Sequence, residues 1–257
     1  MTDYAAATDR STPGFRRHVI GEWILRTSDG ATGRANSATL HGDPGMPIAA
    51  AVDDVMAWYA DLGSAAQVMV WDDTPPEVVT ELARRGMAGG RPTQVMDAPL
   101  DAVLGRLSPP PGLHGRVESE PPPLLRDMIS PERLAEITHT DLERRFGVVA
   151  DHDGDLGTGM VVVDGPLIGI FAMRTREDRQ GRGAGTAVIR TLLDGVDAIG
   201  CDTAWLQVEA DNLRANEWYA RLGFEIRTHY DYWSMPFTSG SPAGGEDDTE
   251  TAQDSGT

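Results

Sequence analysis

The sequence predicts a mixed α/β protein built from two halves in tandem. Three observations lead there. Strand-like runs alternate with helical periodicity along the chain. A proline triplet at Pro109, Pro110 and Pro111 splits that alternation into two blocks. A glycine-rich loop joining a strand to a helix occurs in the second block and not in the first. The expected organisation is a flexible N-terminus over 1–14, a first domain over 15–108, a second over 109–237 and a disordered acidic tail over 238–257.

In the first block, residues 18–26 and 34–41 read as strands with a Ser28-Asp29-Gly30 turn signal between them, which suggests a hairpin. Pro47 opens a helix in which Ala51, Val55, Trp58, Tyr59 and Leu62 recur at helical spacing, and Gly63 ends it. Residues 66–71 read as a strand, 76–85 as a helix stopped by Gly86, and 93–98 as a strand.

The second block opens with a strand at 114–119, followed by Pro121, Pro122 and Pro123. Helical spacing runs from Pro131 to about Arg145 with Ser130 as its cap. Asp151-His152-Asp153-Gly154-Asp155 invites a calcium reading, but the glycine is one position early and Val162 stands where a bidentate Glu is needed, so a solvated turn is expected and no metal. Residues 158–163 and 167–175 form a strand pair turned at Asp164-Gly165-Pro166. After the glycine-rich loop come a helix to about Ala198, a strand at 204–210, a helix at 212–222 and a strand at 224–235.

Composition excludes several functions. The formal charge of -18 disfavours nucleic acid, whose phosphates need concentrated positive charge, and suits a cationic small molecule or a peptide amine. Part of that charge is tail, since 238–257 hold five acids and no base. No apolar run approaches the length of a membrane span and the N-terminus lacks a secretory pattern, so a soluble, cytoplasmic protein is expected. Cys201 is the single cysteine, which rules out an internal disulfide and a thiolate zinc cluster. All 22 basic residues are arginine, which removes a Walker A lysine and a pyridoxal Schiff base.

The chemistry concentrates in Arg179-Gln180-Gly181-Arg182-Gly183-Ala184-Gly185-Thr186. A strand that feeds a glycine-rich turn into a helix N-terminus gathers backbone NH groups toward one point, and the helix dipole adds positive potential there. Such a loop suits a phosphate. Thr186 stands where the dinucleotide fingerprint needs its third glycine, so that motif is not met.

Downstream, Asn212 is followed by Ala215, Tyr219 and Gly223-Phe224 at three, seven and eleven residues. With Gln180, Gly183 and Gly185 in the loop, this pattern resembles the GNAT superfamily of N-acetyltransferases, firmly over about 158–235. The resemblance implies an acetyl-CoA donor whose pantetheine arm lies between the splayed strands 167–175 and 204–210. The cofactor-binding residues it implies are Met173, Arg174 and Thr175 on the first strand. They continue through Gln180, Gly181, Arg182, Gly183, Ala184, Gly185 and Thr186 in the loop, with Asn212 capping the next helix and touching the arm. Arg179 and Arg182 would add charge.

The implied reaction is attack of a neutral small-molecule or peptide amine on the thioester, which requires oxyanion stabilisation and protonation of the leaving thiolate. Tyr219 is the candidate acid, a core tyrosine being the bland alternative. Some family members carry a glutamate five residues before the motif Asn. Here that position is Gln207, so Glu209, two residues on and on the same strand face, is the candidate base, beside a water chain to solvent. The first block looks like a degenerate copy of the same fold. In it Arg34-Ala35-Asn36-Ser37 would line an acceptor pocket or, more simply, form a hairpin edge. A non-catalytic acyl-CoA-binding or regulatory protein is the rival reading, kept alive by Gln207.

Overall fold

The computed structural model describes residues 2–28, 30, 32–195 and 200–235. Asp29 of the expected turn, the expected helix end near Ala198 and the tail 238–257 lie outside the described residues. The chain forms two compact units, the first comprising Met1–Thr93 with Ala135–Thr140 and residues 228–235, the second Gln94–Leu134 and Asp141–Arg227.

The first unit begins with α1 (Tyr4–Ser11), where flexibility was expected. Asp3 caps it by accepting from the Ala6 NH at 2.8 Å. Its Asp9 is buried and takes Arg26 at 3.2 Å and Arg17 at 2.9 Å, so a buried ion pair fixes a helix whose sequence carries little apolar periodicity. The single strand expected over 18–26 is a hairpin, β1 (Arg16–Ile20) and β2 (Trp23–Thr27), folded at Gly21 with φ 56°. A Cβ at Gly21 would lie 2.3 Å from the Pro44 carbonyl carbon, so only glycine fits that turn.

Of the strand expected over 34–41, only β3 (Ala38–Thr39) forms, antiparallel to β2. Then follow α2 (Ile48–Asp61), β4 (Gln67–Trp71) and α3 (Pro76–Arg84), close to their expected bounds. Trp23, Leu25, Val52, Val55, Tyr59, Val68 and Leu82 pack as the core.

The unit boundary passes through β5 (Ala88–Pro99). In the second unit come α4 (Leu100–Arg106), β6 (His114–Glu118), α5 (Pro123–Met128) and α6 (Pro131–Thr138). Met96, Ala98, Leu100, Val103 and Leu107 belong to this unit's core, so the segment before the proline triplet, expected in the first domain, packs with the second. Ser130 accepts from the Arg133 NH at 3.2 Å as the expected cap. The helix stops at Thr138, however, and the residues beyond form β7 (Glu143–Asp151), whose Phe146, Val148 and Val149 are fully buried. Cross-strand burial of that β-branched run overrides the helical spacing that pointed as far as Arg145.

The remaining elements are β8 (Gly154–Asp164), β9 (Leu167–Thr175), α7 (Ala184–Gly195), β10 (Thr203–Glu209), α8 (Leu213–Arg221) and β11 (Glu225–Ser234). Strand order is β1-β2-β3-β4-β11 in the first unit and β5-β10-β9-β8-β7-β6 in the second. Both units contain one strand, a loop, a helix and a parallel partner strand: β3, α2, β4 in the first and β9, α7, β10 in the second. Among the described residues no helix is long and apolar enough to cross a membrane.

Candidate active site

Every residue of β9 is buried, yet its parallel ladder with β10 is short. Pairing runs from Leu167↔Thr203 to Ile170↔Leu206 and stops there, so Phe171–Thr175 and Gln207–Glu209 diverge. The cause lies on the other side of β9. Thr158 pairs with Arg174 and Met160 with Phe171, so Ala172 and Met173 oppose the single residue Gly159 in a bulge. Ala172 takes φ 51°, and among the described residues no other non-glycine has positive φ. Such a conformation costs roughly 1–3 kcal/mol and is found where a site constrains the backbone.

Gly159 is required beneath the bulge, since a Cβ there would lie 2.4 Å from Met173 Sδ. Gly157 has a related role. A Cβ on it would meet the Arg174 carbonyl oxygen at 3.1 Å, Thr175 Oγ1 at 3.3 Å and Ala184 Cβ at 3.4 Å, so its bare backbone lets the start of α7 approach the sheet.

From Thr175 the chain makes a short 3-10 turn at Glu177–Arg179 and reaches α7 through Gly181 (φ 76°) and Gly183 (φ 74°). The first helical bond from this loop is Ala187 NH to Gly183 O at 3.1 Å. The Pro110 ring lies against Gly183, within 2.4 Å of where a Cβ would stand. Arg179 is held by Asp178 at 3.3 Å, Asp153 at 3.4 Å and Asp151 at 3.6 Å, and Arg182 reaches Asp151 at 3.6 Å. The NH of Asp153, donated at 2.8 Å, together with Arg179 keeps the Asp151 carboxyl below the usual carboxylate range. The acidic turn therefore anchors the loop arginines, and much of the charge they were expected to offer is compensated in place. Ligand atoms of Asp151, His152 and Asp153 lie within 4.8 Å of one another, but both carboxylates face guanidinium groups.

Beyond β10, Asn212 caps α8 by accepting from the Ala215 NH at 3.1 Å. Asn216, one turn on, donates Nδ2 to the carbonyls of Glu209 at 3.0 Å and Ala210 at 3.3 Å, which ties the strand end to the helix. Gln207 is buried and Glu209 half-buried. Tyr219 is fully buried, its ring 4.7 Å from Trp218 and 5.7 Å from Phe224.

The thirteen candidate donor-site and catalytic residues lie in the second unit, on β9, its following loop, the start of α7, β10, and α8 with its Asn212 cap. Sequence reasoning missed Ala172, Gly159, Pro110 and Asn216. The glycine pair at 157 and 159 inside a strand was a usable signal for a bulge or a close approach. In the first unit, Arg34, Ala35 and Ser37 are buried, and Asn36 joins Thr27, Ser28 and Gly30 to Thr32 and Glu136 through its amide. That segment is a hydrogen-bonded hub rather than a strand edge.

Residues 2–233 match the family model described as "Probable histone acetyltransferase Rv0428c C-terminal". The chain belongs to this family, within the GNAT superfamily. This chain is also similar to "Uncharacterized N-acetyltransferase YobR" of Bacillus subtilis (strain 168), 27% identical over 233 residues, covering 86% of this chain and 93% of YobR. Among solved structures, a GCN5-related N-acetyltransferase from Kribbella flavida superposes with a TM-score of 0.64 at 17% identity, covering 93% of this chain and 97% of that one. A tandem GNAT protein from the clavulanic acid biosynthesis pathway gives 0.66 at 15% identity, covering 82% and 77%. These structural likenesses establish the GNAT fold, and YobR carries the N-acetyltransferase name.

Proposed function

We propose that the second unit binds acetyl-CoA between the diverging halves of β9 and β10 and transfers its acetyl group to a primary amine. The observation that carries the reading is the divergence itself: the ladder ends at Ile170↔Leu206, and the strand that bends away leads through two positive-φ glycines into the α7 N-terminus. The residues present fit such a donor. Backbone of Met173, Arg174 and Thr175 would hold the arm, the first turn of α7 with Gln180 to Thr186 would hold the diphosphate, and Asn212 would touch the arm from its capping position.

When bound, the donor supplies an electrophilic thioester carbonyl. Backbone NH groups of β9 at the Ala172 bulge would stabilise the oxyanion as the amine nitrogen bonds to the carbonyl carbon. Glu209 would take the proton from the amine, directly or through water. Tyr219 would give its phenolic proton to sulfur as the C–S bond breaks, and its burial among Trp218 and Phe224 keeps bulk water from competing.

The chain's acidity favours a cationic acceptor, a small-molecule or peptide amine. Because the family description names a histone acetyltransferase, lysine-containing peptides belong beside amino acids, polyamines and aminoglycosides in a screen for thiol release from acetyl-CoA. Acetyl-CoA binding with no amine accepted, and no effect of Tyr219→Phe on slow hydrolysis, would favour the non-catalytic acyl-CoA-binding reading that Gln207 keeps in play.

A further inference from the structure

Asn216 has two jobs to fill and only one of them is filled from within the protein. Its Nδ2 donates to two backbone carbonyls, Glu209 O and Ala210 O, and because a carbonyl accepts and never donates, these two fix which end of the amide faces the turn. Oδ1 must therefore point the other way. It is shielded from solvent, and among the described residues no donor lies within hydrogen-bond distance of it. A buried acceptor left unmade is destabilising, so its presence calls for a donor that arrives from outside.

The position of that acceptor narrows the donor. Asn212, Asn216 and Tyr219 are spaced by four and three residues, so they share one face of α8. On the acyl-donor reading, on which this inference rests, Asn212 addresses the arm and Tyr219 the sulfur. Asn216 then lies between them, about 4.5 Å of helical rise short of Tyr219. In a pantetheine thioester the group at that remove from sulfur is an amide N–H, separated from it by two methylenes.

We infer that Asn216 is a binding residue for the acyl donor, its Oδ1 accepting from the pantetheine amide N–H nearest the thioester while its Nδ2 secures the β10–α8 turn.

The test is a comparison of ligands on the full-length protein by calorimetry. Coenzyme A is set against an analogue in which that one amide is replaced by an ester, which removes the N–H and little else. Wild-type protein is expected to bind the ester about tenfold more weakly, the size of one net hydrogen bond. Asn216→Leu, which keeps the bulk and loses the acceptor, is expected to bind both ligands equally, within about twofold. Equal binding of the two ligands by wild type overturns the inference, as does undiminished discrimination by Asn216→Leu. The wild-type comparison needs no variant, so the inference remains open to refutation if Asn216→Leu does not fold. Failure of wild type to bind coenzyme A at all overturns the acyl-donor reading and this inference with it, whereas binding without discrimination overturns this inference alone.

Discussion

The bulge that parts β9 from β10 rests on Gly159, and Gly159→Ala is the smallest change that can challenge it. A Cβ at that position would stand 2.4 Å from Met173 Sδ, 3.1 Å from Val188 Cγ1 and 3.4 Å from Leu192 Cδ1. Met173 is buried, so the sulfur can retreat only by disturbing the α7 packing or the bulge at Ala172. Overpacking of this kind costs about 1–3 kcal/mol. Losing glycine's freedom in the unfolded chain returns about 0.4–1 kcal/mol, so a net loss of roughly 1–2 kcal/mol is expected. Met173→Ala alone should lose about 2–5 kcal/mol through its cavity. In the double variant the new methyl enters space the thioether has left, so the combined loss should fall short of the sum by about 1–2 kcal/mol, where independent sites would add within about 0.3–0.5 kcal/mol. Denaturant midpoints for the four proteins measure this cycle. A Gly159→Ala protein as stable as wild type, or strict additivity, would refute the account of how the strands are parted.

Gly183→Ala should weaken acetyl-CoA binding about 5- to 30-fold in calorimetry, because its φ of 74° strains any side chain by about 1–2 kcal/mol and its Cβ meets the Pro110 ring; unchanged affinity would remove the loop from the site. Tyr219→Phe should keep donor affinity and slow turnover of an identified amine by about 100- to 10,000-fold under conditions where chemistry limits, and a wild-type rate would make Tyr219 a packing residue only. Asp9→Ala would strand the fully buried Arg26 without its carboxylate and should cost about 3–5 kcal/mol in a denaturant titration; a loss under about 1 kcal/mol would show that α1 is held by other contacts. Glu81 is held down to about 2 by Arg84 and then Arg85. A depressed folded pKa contributes stability above the unfolded value, lost as pH falls through the folded one, so the advantage of wild type over Glu81→Gln should be full at pH 6 and fade between about pH 4 and pH 2. An advantage that persists at pH 2 would contradict the pairing.

What the sequence disclosed was local. β9 falls on 167–175 because an apolar run there is bounded by a turn signal on one side and the glycine loop on the other. The Asn212 cap and the Ser130 cap were legible for the same reason, since each bonds within three residues of itself. What it withheld depends on distant partners. α1 is held by Asp9 reaching Arg26, seventeen residues away, and no periodicity in the helix announces that pair. β7 exists because β8 and β6 flank it, so helical spacing up to Arg145 was outvoted by neighbours a single window does not contain. The bulge at Ala172 is a mismatch of counts between two strands, invisible in either alone, although glycines at 157 and 159 mark where the partner must give way.

The same contrast bears on why one unit, and not both, is proposed to hold the donor. The first unit has the sequence of parts, β3, a loop, α2 and the parallel strand β4, and its loop even carries two positive-φ glycines, Gly42 and Gly45. Two of its NH groups, however, are answered from inside. The Asp43 NH donates to Glu22 Oε2 at 2.5 Å and the Gly45 NH to the Asp43 carboxylate at 2.7 Å. Arg26 of β2 also reaches Thr39 of β3 at 3.2 Å and Met69 of β4 at 3.2 Å, in contact with both parallel strands. A phosphate entering that loop would have to displace carboxylates and sit beside their charge, which is unfavourable twice over. In the second unit the acidic turn at Asp151 and Asp153 takes the arginine side chains instead and holds the loop by its flanks. Two loops that each carry two positive-φ glycines thus differ in what the nearby carboxylates touch, backbone NH groups in one and guanidinium groups in the other, and that difference is why the α7 loop is the one proposed for an anion.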